Sequence, residues 1–277
     1  MEKFIVKSNF DYIKAVLKKD FILSTKYKLQ LTISYLSVLI YIFTIFNFSK
    51  AVSLAEANEA NLFLNNPFLF LISGYMIIDI TITILNIITS QINFYQTSGM
   101  FEEMMLIDNQ KLFYISSFIF PFILWFIRNL FYLIVSIYFF NLDMVILLNS
   151  KNIIILTISF ISIILFLFGI SFLAASFTIV FKRGNPIIIL GSLFTTIFSG
   201  AIYPINVLTP NLQLISNLIP TTHFLNQIRL FLSGHALELD NAFFYLLISS
   251  IFLFIIGLNV FFYSIIYSKK TGKAYTY

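Results

Sequence analysis

A helix needs about 20 predominantly apolar residues to cross the hydrocarbon core of a bilayer, and this chain offers six candidate stretches: 29–48, 68–89, 113–140, 153–181, 187–202 and 243–267. Nothing in the sequence constrains the fold more. Lipid offers no hydrogen bonds to the backbone, so a lone apolar stretch of this length satisfies its N–H and C=O groups only as a helix. The expected fold class is therefore all-α: a polytopic membrane protein with six transmembrane helices. Composition removes the soluble alternative. Charged residues make up 10% of the chain and hydrophobic ones 59%, against about 25% charged in a typical soluble domain. The third and fourth stretches exceed the bilayer thickness and are expected to tilt or protrude. The fifth is short, and Gly191 and Gly200 would either let a neighbour approach closely or leave the helix loosely packed.

Lys and Arg set the expected orientation. Lys3, Lys7, Lys14, Lys18, Lys19, Lys26, Lys28, Lys111, Lys182, Arg183, Lys269, Lys270 and Lys273 fall on one side. The other side has Lys50, Lys151 and Arg229, next to Glu56, Glu59, Asp143, Glu238 and Asp240. Positive charge accumulates in cytoplasmic loops, so both termini are expected in the cytoplasm of a cell-membrane protein, as an even number of spans requires. The net charge of +5 would point to nucleic acid in a soluble protein; here its distribution points to the membrane instead, and no nucleic-acid partner is expected.

Three regions follow. Residues 1–28 form a cytoplasmic N-terminal segment, 29–267 the transmembrane domain, and 268–277 a cytoplasmic tail. Phe10, Ile13, Leu17 and Phe21 recur at helical spacing, with Asp11, Lys14 and Lys18 elsewhere. This reads as an amphipathic helix in the membrane interface, against a disordered basic leader. Ala55 and Ala57 imitate a signal-peptidase site, but the leader and apolar core before them are longer than that pattern allows. Asn47 to Ser49 matches a glycosylation sequon and lies too near the span to serve as one. The chain has no cysteine, hence no disulfide framework.

Convergent polar groups are sparse. His223 and His235 are the two histidines, neither within a metal-ligand spacing, and no nucleophile motif occurs. A phosphate-binding loop would read GxxxxGK followed by Ser or Thr; the nearest fragment is Gly272-Lys273-Ala274. No enzymatic activity, cofactor or metal is expected of the chain itself. Two ionisable residues do fall inside spans, Asp79 in the second and Arg128 in the third. Asp79 lies 18 residues before Thr97, and Arg128 lies 18 residues after Gln110. Two helices joined by 97–110 would therefore hold both charges at one depth, where ionisable groups usually pair. Such a pair either locks the helix hairpin or belongs to a transport path.

Two connections stand out. Residues 97–110 carry Met100, Phe101, Met104, Met105 and Leu106 as an apolar face, with Glu102, Glu103 and Asp108 on the side where lysine dominates. That reads as a protein docking surface; an interfacial helix on lipid is disfavoured because anionic headgroups repel its acids. Residues 199–229, between spans five and six, are long, semi-apolar and interrupted by Pro204, Pro210 and Pro220. They are expected to dip back into the membrane as re-entrant outer helices.

Together these features resemble the membrane subunit of an ABC-2 type ABC exporter, the permease. The order matches over nearly the whole chain: interfacial helix, six spans, a cytoplasmic segment with Gly99 followed by Phe101, Glu102 and Glu103, and a proline-broken outer segment. Gly200, Pro204, Leu208, Pro210, Leu218, Ile219, Pro220, His223 and Arg229 resemble the signature closing that family's transmembrane domain. The resemblance implies that Gly99, Phe101, Glu102, Glu103, Met104, Met105 and Asp108 belong to a coupling helix entering a cleft on a separate ATPase. It implies two ATPase copies that hold ATP and Mg, and a second permease chain, most simply an identical one. Gly200, Pro204, Pro210, Pro220, His223 and Arg229 would form an outer gate, with Pro204 and Pro220 breaking helices where they re-enter. The implied activity is outward movement of a hydrophobic or amphipathic substrate through the dimer interface, closer to the drug and small-molecule branch. The alternative is export of a lipid-linked polysaccharide or teichoic acid, for which Tyr35, Tyr41, Tyr75, Tyr132 and Tyr138 are candidate path residues. From another class, a secondary transporter or channel would need no ATPase; the absence of repeats and the sparse intramembrane charge argue against it.

Overall fold

The computed structural model describes residues 9–26, 28–55, 67–101, 110–140, 150–182, 185–233 and 235–271, and every regular element among them is helical. In chain order these are α1 (Asn9–Lys26), α2 (Lys28–Ala55), α3 (Pro67–Thr97), α4 (Gln110–Phe140), α5 (Ser150–Phe181) and α6 (Asn185–Phe198). A 3-10 turn (Ile205–Val207) leads to α7 (Pro210–Asn217), α8 (Pro220–Leu232) and α9 (Asn241–Lys270). Four helices are long and apolar enough to cross a membrane: Thr32–Lys50 within α2, and α3, α5 and α9 throughout. Large apolar side chains cover their outer faces. Leu36, Ile40 and Phe43 on α2 and Ile248, Phe252 and Ile255 on α9 are all more than half exposed. Apolar surface on that scale needs lipid, and the chain is a membrane protein.

Helices α3 and α5 form the centre. Along α3, Ile77, Ile84, Leu85, Ile88 and Ile92 are fully buried, a stripe at helical spacing that faces α5. The apolar clusters are layered along the axis. Near the end that carries most of the lysines, Ile88, Ile92, Tyr95, Phe118, Phe172, Ile179 and Phe261 pack together. Midway, Ile77, Trp125, Ile163, Leu167 and Phe224 do so. Ile155, Leu237 and Phe243 close the far end. Two interhelical hydrogen bonds join α3 to α5, from Ser171 Oγ to Leu85 O at 3.1 Å and from Gln96 Nε2 to Thr178 O at 3.4 Å.

The closest backbone approaches occur at glycines the sequence did not single out. A Cβ on Gly257 of α9 would stand 2.2 Å from Gly169 O of α5, and one on Gly169 would stand 2.7 Å from Leu253 O. Gly191, expected to permit such an approach, meets only the Leu85 side chain, at 3.3 Å from a built Cβ. Helix α6 also departs from expectation. Its apolar run continues to 202, but the helix stops at Phe198, since Gly200 turns the chain at φ +76°, a conformation costly for any residue with a Cβ. With 14 residues, α6 reaches about 21 Å.

Helix α1 runs along α4 rather than standing apart. Val16 is buried on it, and Asp11, Lys14 and Lys18 face outward. Phe21, expected on the buried apolar face, is 59% exposed and meets Phe120 on α4 edge-on, with centroids 6.4 Å apart. A helix seated on a protein groove hides a narrower stripe than one lying in lipid.

Candidate functional site

The structure brings Asp79 and Arg128 together. Arg128 Nη2 donates to Asp79 Oδ2 at 2.7 Å, to Oδ1 at 2.9 Å and to Thr83 Oγ1 at 3.2 Å. Asn129 Nδ2 adds a longer hydrogen bond to Oδ2 at 3.4 Å while holding Trp125 O at 3.0 Å. The helix ends fall at Thr97 and Gln110, so both charges sit about 27 Å from the 97–110 connection at 1.5 Å per residue. One cation, one anion and two neutral polar groups satisfy one another there. That arrangement ties α3 to α4 without leaving net charge at membrane depth. One turn earlier, Tyr75 packs against Tyr41 of α2 with centroids 4.6 Å apart and ring planes tilted by 32°, and Tyr35 meets Phe131 edge-on. The side chains of Tyr132 and Tyr138 lie outside the described residues.

At the other end of α3, Gly99 adopts φ +72° with open space around it and ends the helix: the N–H groups of Ser98 and Gly99 bond to Phe94 O and Gln96 O. Met100 is exposed, as a docking face requires. Phe101 is not; it is 3% exposed, packed in the cluster with Ile92, Tyr95, Phe118 and Phe172. Its place on an open apolar face is therefore corrected. An aromatic ring two residues after a chain reversal finds more apolar surface in the helix bundle than in water, and it anchors the connection there. Glu102, Glu103, Met104, Met105 and Asp108 lie outside the described residues.

The 199–232 segment folds back onto the bundle. Pro204 precedes the 3-10 turn, and Pro210 and Pro220 each occupy the first turn of a helix. The prolines open elements rather than break them, because the missing N–H is one a helix start leaves unbonded anyway. Phe224 and Leu225 of α8 are fully buried beside Ile77, Ile163, Leu167 and Leu246, so α8 is part of the core. The turn at Gly200 seats Ala201 on α3: a Cβ on Gly74 would stand 1.9 Å from Ala201 O. Arg229 fixes this seat. Its Nη2 donates to Gly200 O at 2.8 Å and to Phe70 O at 3.4 Å, its Nε to Ser73 Oγ at 3.3 Å, and the guanidinium lies 3.6 Å from the Phe70 ring centroid.

His223 has a local task. Its Nε2 stands 2.7 Å from Asn217 O, which only accepts, so that nitrogen carries the hydrogen. Tyr245 OH donates to Leu218 O at 2.6 Å, and the two rings meet edge-on. Between them they satisfy carbonyls that the end of α7 leaves unpaired. Tyr245→Phe and His223→Ala are each expected to lower stability by about 0.5–1 kcal/mol, read as a drop in unfolding temperature in detergent. His235 sits apart, its Nδ1 2.9 Å from Ser233 Oγ. Among the described residues no group of three or more His, Asp or Glu is placed to hold a metal ion.

Reasoning from sequence missed Gly74, Gly169 and Gly257 as contact points. Each interrupts an otherwise apolar helix, which is a signal for close packing, but spacing alone names no partner. Compared with protein-family models and with curated proteins, the chain matches none.

Proposed function

We propose that this chain is the membrane subunit of an ATP-driven exporter of the ABC-2 type. It pairs with a second copy of itself and is energised by two copies of a separate ATPase that hold ATP and Mg. In this reading α4 and α6 also cross the bilayer, giving six spans with both termini in the cytoplasm, and α7 and α8 re-enter from outside. The substrate is a hydrophobic or amphipathic molecule that leaves through the dimer interface.

One observation carries the reading: a single helix, α3, reaches both segments whose sequences are unusual. At one end it passes through the Gly99 turn into the connection on which an ATPase would press, with Phe101 keyed into the bundle. At the other end Phe70, Ser73 and Gly74 hold the Gly200 turn and Arg229. Asp79 and Arg128 brace α3 against α4 between them. A push at the first end therefore moves the outer segment through a braced rod.

The test is recovery of an ATPase with the tagged chain from its native membrane. A stoichiometric ATPase is expected. Reversing Glu102→Lys with Glu103→Lys, leaving Gly99 and Phe101 in place, should cut recovery at least about tenfold, equivalent to about 1.4 kcal/mol of binding. Full-rate translocation by the purified chain alone in liposomes overturns the proposal.

A further inference from the structure

A groove of about 420 Å³ opens between the ends of α5, α6 and α9, at the end of the bundle where most of the lysines lie. Its walls include Leu173, Phe177 and Phe181 of α5, Ile187 of α6, and Val260 and Tyr263 of α9. The serine hydroxyls on its walls are spent internally: Ser176 Oγ donates to Phe172 O and Ser264 Oγ to Phe261 O, each at 2.7 Å. A largely apolar wall whose serine hydroxyls point back into their own helices offers little to a polar guest and much to a hydrocarbon chain.

The described charged residues that adjoin its walls along the chain, Lys182, Lys269 and Lys270, are of one sign. Along α9, Val260, Tyr263, Tyr267 and Lys270 follow one another at helical spacing, so Lys270 continues the face that lines the groove past its apolar part. Lys269 is beside it, and Lys182 directly follows Phe181. In the sequence 173–187 and 260–277 the ionisable side chains other than tyrosine are Lys182, Arg183, Lys269, Lys270 and Lys273, with no Asp or Glu. Lys182 also holds a left-handed backbone at φ 60° to close α5, its N–H bonded to Thr178 O. That conformation favours glycine, yet a cation stands there.

We infer that this groove is a binding site for an anionic phospholipid of the adjoining leaflet, with an acyl chain along Phe177, Val260 and Tyr263 and the headgroup phosphate at Lys269 and Lys270. Apolar length below and positive charge above are the two halves of such a molecule, and basic pockets between helices are where anionic headgroups collect. The inference needs no ATPase and stands apart from the export reading.

The experiment places the chain in vesicles of phosphatidylcholine doped with brominated phosphatidylglycerol or brominated phosphatidylcholine. Tyr263→Trp reports from the groove, and the parent chain, whose one tryptophan is Trp125, serves as reference. Phosphatidylglycerol is expected to bind about fivefold more tightly than phosphatidylcholine for each lysine engaged. Lys269→Gln with Lys270→Gln should erase that preference, and Phe252→Trp, on an exposed face of the same helix, should show none. In case Tyr263→Trp does not fold, native mass spectrometry of the unsubstituted chain gives a second reading: retained phosphatidylglycerol that the double lysine variant loses. Equal quenching by the two lipids, or a preference unchanged without the lysines, overturns the site, including the case where an exported amphiphile occupies it instead.

Discussion

Replacing Arg128 with Met lowers the stability of the chain by about 3 kcal/mol. The loss comes from what is left behind rather than from the missing attraction. Asp79 then keeps only the weak donor Asn129 Nδ2, at 3.4 Å, and a carboxylate at membrane depth without a cation is poorly solvated. The pair's side chains are 24% and 23% exposed, which holds the effect to the lower end of the range for buried pairs. Asp79→Met is expected to cost a similar amount by stranding the guanidinium. Removing both charges together in Asp79→Met with Arg128→Met should come out near neutral, because the two desolvation penalties vanish with the attraction. Exchanging them, Asp79→Arg with Arg128→Asp, should recover most of the single-variant loss. Unfolding temperature in detergent, read by fluorescence-detected size exclusion, ranks the four. If the exchange is as damaging as either single change, the pair is not what holds the hairpin. The apolar double variant also separates the two roles open to the pair: kept stability with lost transport places it on the path, and both kept makes it a lock.

Gly257→Leu is expected to separate α5 from α9 and abolish a folded, monodisperse chain, and even Gly257→Ala costs about 2–3 kcal/mol. The obstacle is backbone, not a side chain that can turn away. The first added carbon would fall 2.2 Å from Gly169 O, and only a shift of a whole helix relieves it. These two helices share the most extensive interface among the described elements, so the shift spreads along the bundle. Gly191→Ala is the control. Its new methyl meets a movable Leu85 side chain at 3.3 Å, and removing a glycine from a helix gains about 0.5–1 kcal/mol, so the variant should be neutral or slightly more stable. Equal damage at 191 and 257 would falsify the assignment of the tight contact.

What could be read from the sequence was what one-dimensional physics enforces. The membrane character of α2, α3, α5 and α9 is written in apolar length, because a span has one solvent along its whole course. Asp79 and Arg128 were legible because opposite charges at equal distance from one connection leave few other solutions. The meeting of Gly169 with Gly257 was not, since 87 intervening residues carry no information on which helix lies beside which. Phe101 was misread for a related reason: an aromatic in a polar connection looks available for docking until its own bundle offers a deeper place. His223, which the resemblance assigned to an outer gate, partners the end of α7, a contact that depends on how α7 and α8 fold against each other. The prolines at 210 and 220 marked boundaries correctly, but whether a proline ends one helix or begins the next rests on where the apolar face of the following residues goes.

The grip of Arg229 has a mechanical corollary. Its attachments lie on three separate pieces of chain, the first turns of α3, the bend after α6, and α8 itself. Three tethers from one rigid planar group leave no independent freedom between those pieces. The 199–232 cap is therefore expected not to swing like a door on its own; it rides as a single plate with the head of α3, and a hinge belongs beyond the plate's margins, where α6 begins and after Ser233.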